Sequence, residues 1–185
     1  MGVALTGGEY TLMPALLRAM LGGLVLAPGV GEAYAAREEE GRLVGFLAFS
    51  NPGELMFYSE ESRAQGYYEY ANMLPPEARE YFLKTTSFPP VLDDEMKIER
   101  QAYRCNFAFV RAEYQGKGVA KGMFNLAFQR AVELGAEKVA TITINPINVP
   151  IYKALGFTLK GQKRIKSPWS EWDRWFFVRE MQETT

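Results

Sequence analysis

The chain has 185 residues, 48% hydrophobic and 23% charged, with 21 lysines and arginines against 22 aspartates and glutamates. This is the composition of a globular protein with a sizeable core, and a net charge of -1 argues against a coat for nucleic acid or an anionic membrane. The absence of histidine excludes a His-based triad, a His-ligated metal and a histidine general base, while the single cysteine, Cys105, excludes an internal disulfide framework and fits a reducing compartment.

An apolar run, LMPALLRAMLGGLVLAPGV, covers residues 12–30. Arg18 interrupts it, glycines and prolines break it, and it is too short to span a bilayer. No lysine or arginine precedes it, so a signal peptide would lack its charged start. A soluble, cytoplasmic protein with no membrane partner is expected, nuclear entry being left open. Leu12, Ala15, Leu16, Ala19 and Met20 recur at helical spacing and predict a helix over 10–21. EAYAARE and RLVGFLAFS, with the polar EEEGR between them, predict an antiparallel hairpin. Residues 51–97 differ in character: Pro52, Pro75, Pro76, Pro89 and Pro90 alternate with tyrosines, and PPEAREYFLKTT predicts a short helix with proline in its first turn. This stretch reads as a loop-and-helix insertion, too small to carry its own core.

QAYRCNFAFV, residues 101–110, predicts a strand. Beyond the glycine stretch, Met123, Leu126, Ala127, Arg130, Ala131 and Leu134 predict a helix that Gly135 stops. KVATITINP predicts a strand ended by Pro146, and NVPIYKALGF a short helix closed by Gly156. FTLKGQKRI and RWFFVREM predict two strands joined by the turn-rich KSPWSEWD. The β-α-β unit at 102–144 predicts a parallel pair with a right-handed crossover. The expected fold class is therefore α/β (α+β): one domain over 1–185 with a mixed, mostly antiparallel sheet.

YQGKGVAKGMF, residues 114–124, lies at the junction of a strand and a helix. Such a junction leaves backbone N–H groups without partners, and the helix dipole adds a preference for an anion. Gly116 and Gly118 remove Cβ atoms where a ligand approaches the backbone, and Lys117 and Lys121 raise the local potential. A phosphate or pyrophosphate is expected there. The nucleoside-triphosphate loop G-x-x-x-x-G-K-S/T fails, because Gly118 follows Lys117 and the Mg²⁺-binding hydroxyl is missing. The dinucleotide fingerprint G-x-G-x-x-G fails because Gly122 comes one residue late and no acidic residue ends the next strand.

The stretch does resemble the acetyl-CoA signature R/Q-x-x-G-x-G/A of the GCN5-related N-acetyltransferases, as Gln115-Gly116-Lys117-Gly118-Val119-Ala120. A second motif is similar to the family's N-x-x-A-x-x-x-Y-x-x-x-G-F: Asn145, Tyr152 and Gly156-Phe157 match, and Asn148 stands where alanine is common. The resemblance covers about residues 35–180. It implies acetyl-CoA as cofactor and a primary amine of a small molecule or peptide as acceptor, with direct transfer in a ternary complex. No nucleic acid and no metal are implied, and the protein would be a monomer or homodimer. By the same resemblance, Phe109 and Val110 would pair with the pantetheine arm, and the amides of Gln115 to Ala120 would wrap the pyrophosphate with Lys117 and Lys121 adding charge. Asn145 and Asn148 would bond the arm, and Tyr152 would serve as general acid to the sulfur. Residues 1–9 are too short and glycine-rich for the family's first strand, which is either missing or vestigial here. A non-catalytic acyl-CoA-binding or sensor module is the alternative.

Other residues keep two readings. Glu95, Glu99, Glu171 and Asp173 are candidate bases or solvated charges. Cys105 is a buried apolar residue rather than an acyl carrier. Trp169, Trp172 and Trp175 either line an acceptor pocket or pack the final hairpin, and Tyr67, Tyr68 and Tyr70 either form a lid or cover the sheet.

Overall fold

A computed structural model describes residues 1–87 and 93–181; residues 88–92, with Pro89 and Pro90, and 182–185 lie outside the described part. The sheet holds six strands, β1 (Gly31–Arg37), β2 (Leu43–Ser50), β3 (Tyr103–Val110), β4 (Lys138–Thr143), β5 (Thr158–Lys166) and β6 (Glu171–Glu180), in the order β1-β2-β3-β4-β6-β5. β2 and β4 are buried along most of their length, as central strands covered on both faces must be. β1 and β5 form the edges. β5 is mostly exposed and carries Lys160, Lys163, Arg164 and Lys166, charges that discourage pairing with another sheet. Only β3 and β4 run parallel, joined through α7 (Val119–Glu133); the other neighbours are antiparallel.

Two helical layers cover the sheet. On one face lie α7 and α8 (Asn148–Ala154). α7 buries a two-residue-wide stripe, Met123, Phe124, Ala127, Phe128 and Ala131, against Phe49, Tyr103, Val139 and Phe177. Leu126 lies off that stripe and is 55% exposed. The other face carries α1 (Gly2–Leu5), α2 (Met13–Leu21), α3 (Glu60–Arg63), α4 (Tyr67–Met73), α5 (Pro76–Thr86) and α6 (Asp94–Gln101). Residues 1–9 hold a helical turn, Gly2–Leu5, and no strand is present among them. The helix expected over 10–21 opens as a 3-10 turn, Tyr10–Leu12, and runs on after Leu21 into a π-helical turn, Gly22–Leu26. The 51–97 segment does share a core, though not one of its own making: Phe57, Tyr70 and Phe82 bury against Leu5, Leu16 and Met20. Tyr67 and Tyr70 are buried in that helical core, and Tyr68 stays exposed. Among the described residues no helix is long and apolar enough to cross a membrane.

One irregularity positions everything downstream. Ala48 faces Phe107 and Phe49 faces Cys105, so Asn106 is an extra residue in β3, a bulge. The bulge inverts the facing of the strand: Tyr103 and Cys105 join the α7 core, whereas Phe107 packs into the opposite layer. Asn106 Nδ2 holds the distortion by donating to Ser50 Oγ (3.2 Å) and Arg104 O (3.0 Å), and the Cys105 thiol donates to Phe107 O (3.3 Å). A bulged strand bends and twists more strongly. β3 accordingly pairs with β4 through only Tyr103–Val139, Arg104–Ala140 and Cys105–Thr141, then parts from it.

Phe124 is 2% exposed and meets the rings of Phe49, Phe128, Tyr152 and Phe157. Truncation to alanine should cost about 3–5 kcal/mol, read as a lowered denaturation midpoint in urea. A loss near zero would show that this aromatic cluster does not hold α7 to the sheet.

Candidate active site

The parting of β3 from β4 opens a cavity of about 540 Å³. Its walls are the strand ends around Asn106–Ala108 and Thr141–Asn145, Tyr152 of α8, and the apolar layer of α1, α2 and α5. Backbone direction follows from register. Arg111 N–H donates to Val44 O at 2.8 Å, and Phe109 pairs with Phe46, so Phe107, Phe109 and Arg111 turn their main-chain groups toward β2. Ala108 and Val110 turn theirs toward the gap. The gap edge is therefore presented by Ala108 and Val110 rather than by Phe109, whose ring lies half-exposed against Phe46. Ala108 was missed in the sequence because the bulge that sets this alternation leaves no mark in QAYRCNFAFV.

β3 ends in a turn, Ala112–Tyr114, and the glycine stretch follows. Gly116 (φ 73°) and Gly118 (φ 82°) both adopt the left-handed conformation, which glycine alone reaches without strain. A Cβ on either would meet nothing within 4 Å, so both backbones face open space. Gln115 N–H still donates to Ala112 O (3.2 Å), and the first helical bond runs from Gly122 N–H to Gly118 O (2.9 Å). Between them, the amides of residues 116–121 donate to no backbone carbonyl among the described residues. The Gln115 side chain closes the turn by donating from Nε2 to Val110 O (3.0 Å). Val119 and Ala120 form the first turn of α7. Lys117 rests its ammonium over the Tyr114 ring at 5.4 Å, and Lys121 is exposed with no salt bridge among the described residues. The set is a row of free donors beside two cations at a helix start, and it fits a diphosphate.

Beyond β4, Thr143, Asn145 and Asn148 lock the corner into α8. Asn145 Oδ1 accepts from Ile147 N–H (3.1 Å), and Asn148 Nδ2 donates to Thr143 Oγ1 (3.2 Å). Each asparagine spends one side-chain atom on this corner, and both line the cavity. The corner sets Tyr152, which is 6% exposed, packed on Phe124, Phe157 and Phe177, and also part of the cavity wall. Burial pushes its hydroxyl well above the ordinary tyrosine range; Cys105 adds to the shift and Thr141 opposes it. Tyr152 is therefore a neutral hydrogen-bond donor at the root of the gap.

Of the four acids considered as bases, only Glu99 lines the cavity. Its oxygens are held by Arg174 Nη2 (2.6 Å) and Arg104 Nη2 (3.2 Å). Arg174 also donates to Glu95, which pairs with Lys163 as well (2.8 Å). Glu171 and Asp173 pair with Arg164 near the last hairpin. Among the tryptophans, Trp172 lines the cavity, Trp169 packs on Tyr81 in the second core, and Trp175 lies against the α7 core. Phe57, in the cavity wall, has φ 66°, strained for a phenylalanine; Ser62 Oγ accepts its N–H at 2.8 Å and holds it there.

Compared with models of protein families, residues 18–157 match the one described as the acetyltransferase (GNAT) family. No curated protein matches the sequence. Among solved structures, a nourseothricin acetyltransferase is similar at 17% identity and a TM-score of 0.51, over 83% of this chain and 66% of that one. The ribosomal-protein-S5-alanine acetyltransferase from Vibrio fischeri is similar at 14% identity and 0.50, over 84% and 64%. A spermidine N-acetyltransferase chimera from Vibrio cholerae reaches 13% identity and 0.50, over 84% and 71%. At these identities the likeness is one of fold, and this chain spans less than two thirds of the first two.

Cys105 lies against this site, and burial pushes its thiol up to about 12. It should not react with Ellman's reagent at pH 8 in the native protein and should react fully on unfolding. Rapid native labelling would show that the strand junction is open to solvent.

Proposed function

We propose that this chain, which belongs to the acetyltransferase (GNAT) family, moves an acetyl group from acetyl-CoA to a primary amine of a small molecule or peptide within one ternary complex. We take residues 1–185 as one acetyltransferase domain in which 51–97 is an insertion. One observation carries the reading: β3 and β4 stop pairing past Cys105–Thr141, the cavity there is lined by Ala108 and Tyr152, and β3 leads into a turn where the amides of residues 116–121 donate to no backbone carbonyl among the described residues.

Bound acetyl-CoA supplies an activated thioester. The amides of residues 116–121 bond the diphosphate, and Lys117 and Lys121 offset its charge. The main-chain groups of Ala108 and the N–H of Val110, whose carbonyl already accepts from Gln115, are offered to the amides of the pantetheine arm, as to an added strand. Asn145 Nδ2 and Asn148 Oδ1, the atoms not spent on the corner, can bond the same arm. An N–H of the gap edge polarises the thioester carbonyl, an electrostatic contribution of up to about 4 kcal/mol when well placed. As the N–C bond forms and the C–S bond breaks, Tyr152 would donate its proton to the departing sulfur, and the proton lost by the amine would pass through water and return to Tyr152.

Incubated with acetyl-CoA and a panel of primary amines, the protein should release free thiol in an amine-dependent way. Tyr152→Phe should keep CoA affinity within about threefold and lower kcat about 100-fold. A saturable CoA complex with no turnover on any amine would instead favour a non-catalytic acyl-CoA-binding module. Because its pKa is raised, the Tyr152 hydroxyl stays protonated up to and beyond the usual value of about 10. Wild-type kcat should therefore show no loss between pH 7 and 9.5; a fall centred within that range would contradict the role given to Tyr152.

Gly118→Val forces a branched residue into φ 82° and places its Cβ on the open face of the turn. The strain alone is about 1–3 kcal/mol, so CoA should bind at least about 10-fold more weakly by calorimetry. Wild-type affinity in that variant would remove the glycine turn from the cofactor site.

A further inference from the structure

The cavity wall carries charges that acetyl transfer itself does not use. Much of the wall is apolar, with Leu5, Met20, Phe57, Phe82 and Trp172 among its members. Into this apolar space protrude Glu99, Arg104 and Arg174. Arg174 gives one terminal nitrogen to Glu95 and the other to Glu99. Arg104 gives only one. Its Nη2 pairs with Glu99 at 3.2 Å, its Nε is buried without any acceptor, and its Nη1 has no acceptor among the described residues. The side chain is only 18% exposed, so water does little to compensate. A buried donor left unpaired costs about 1–3 kcal/mol. The surrounding charges do not balance either. Arg104, Arg174 and Lys163 face Glu95 and Glu99, three cations against two anions, a local excess of one positive charge.

We propose that Arg104 receives a carboxylate of the acceptor, so that the acceptor is a small amine carrying a carboxylate on an apolar body, of amino-acid type. This rests on the acetyl-transfer reading of the same cavity. A planar guanidinium with spare donors matches a carboxylate in a fork geometry that a lysine cannot offer. The carboxylate cancels the cationic excess, and the apolar wall takes the rest of the molecule.

The test uses the full chain and pairs of amines that differ only in the carboxylate, phenylalanine against phenethylamine and leucine against isoamylamine. Thiol release should give the carboxylate member a kcat/KM at least about 10-fold higher, the scale of one charge-assisted hydrogen bond. Equal or better turnover of the decarboxylated member overturns the proposal. A second measurement needs no turnover. 3-Phenylpropionate, a carboxylate without an amine, should raise the melting temperature in a saturable way. Arg104→Lys keeps a cation for Glu99 but loses the fork, and should weaken that binding about 10-fold while the CoA-induced shift persists. No saturable shift in the wild type, or an unchanged affinity in Arg104→Lys, also overturns it. Should Arg104→Lys fail to fold, the wild-type amine pairs still decide. Carboxylate binding that depends on Arg104, with no amine acetylated, would sink the transfer reading and leave the carboxylate site standing.

Discussion

A strand interior to a sheet must satisfy the main-chain groups on both of its edges. β3 meets that demand against β2 for its whole length but against β4 for only three residues. The reason is Asn106, the one residue too many that bends β3 away. The energetic consequence is an edge of unpaired donors and acceptors opening inside the molecule rather than at its rim. A ligand that carries amides of its own can complete that edge. The glycine turn follows the end of the same strand, where α7 begins and a helix start favours an anion.

The two faces of the sheet divide the work. The α7 and α8 face is an aromatic core that fixes the glycine turn and Tyr152 relative to each other, through Phe124, Phe157 and Phe177. The opposite face, built from the N-terminal helices and the insertion, supplies the apolar wall of the cavity. Between them runs the ionic layer of Glu95, Glu99, Arg104 and Arg174, which ties α6 to β3 and β6.

How much of this could be read from the residues depended on the range of the interaction. The glycine turn was legible because left-handed φ values and free amides are local demands, written at positions 116 and 118. The helix that carries Tyr152 was legible from Pro146 before it and Gly156 after it. The hairpin and the β-α-β unit followed from periodicity. The bulge at Asn106 was not legible, because it shows only against β2, so Phe109 was named where Ala108 faces the gap. α6 was hidden by its own composition: DEMKIERQ offers little apolar periodicity, and its buried Glu99 is held by arginines 5 and 75 positions away. The spacing that includes Leu126 marks the helix but not its buried face, which Phe124 and Phe128 set.

A crystal structure of the complex with CoA addresses the opened strand edge most directly. The diphosphate should lie within hydrogen-bond distance of the amides of residues 116–121, with the pantetheine arm running along Ala108 and Val110 toward Tyr152. A diphosphate bound elsewhere, or β3 and β4 paired past Cys105 and Thr141 so that no gap remains, would contradict the reading of this edge as the cofactor site.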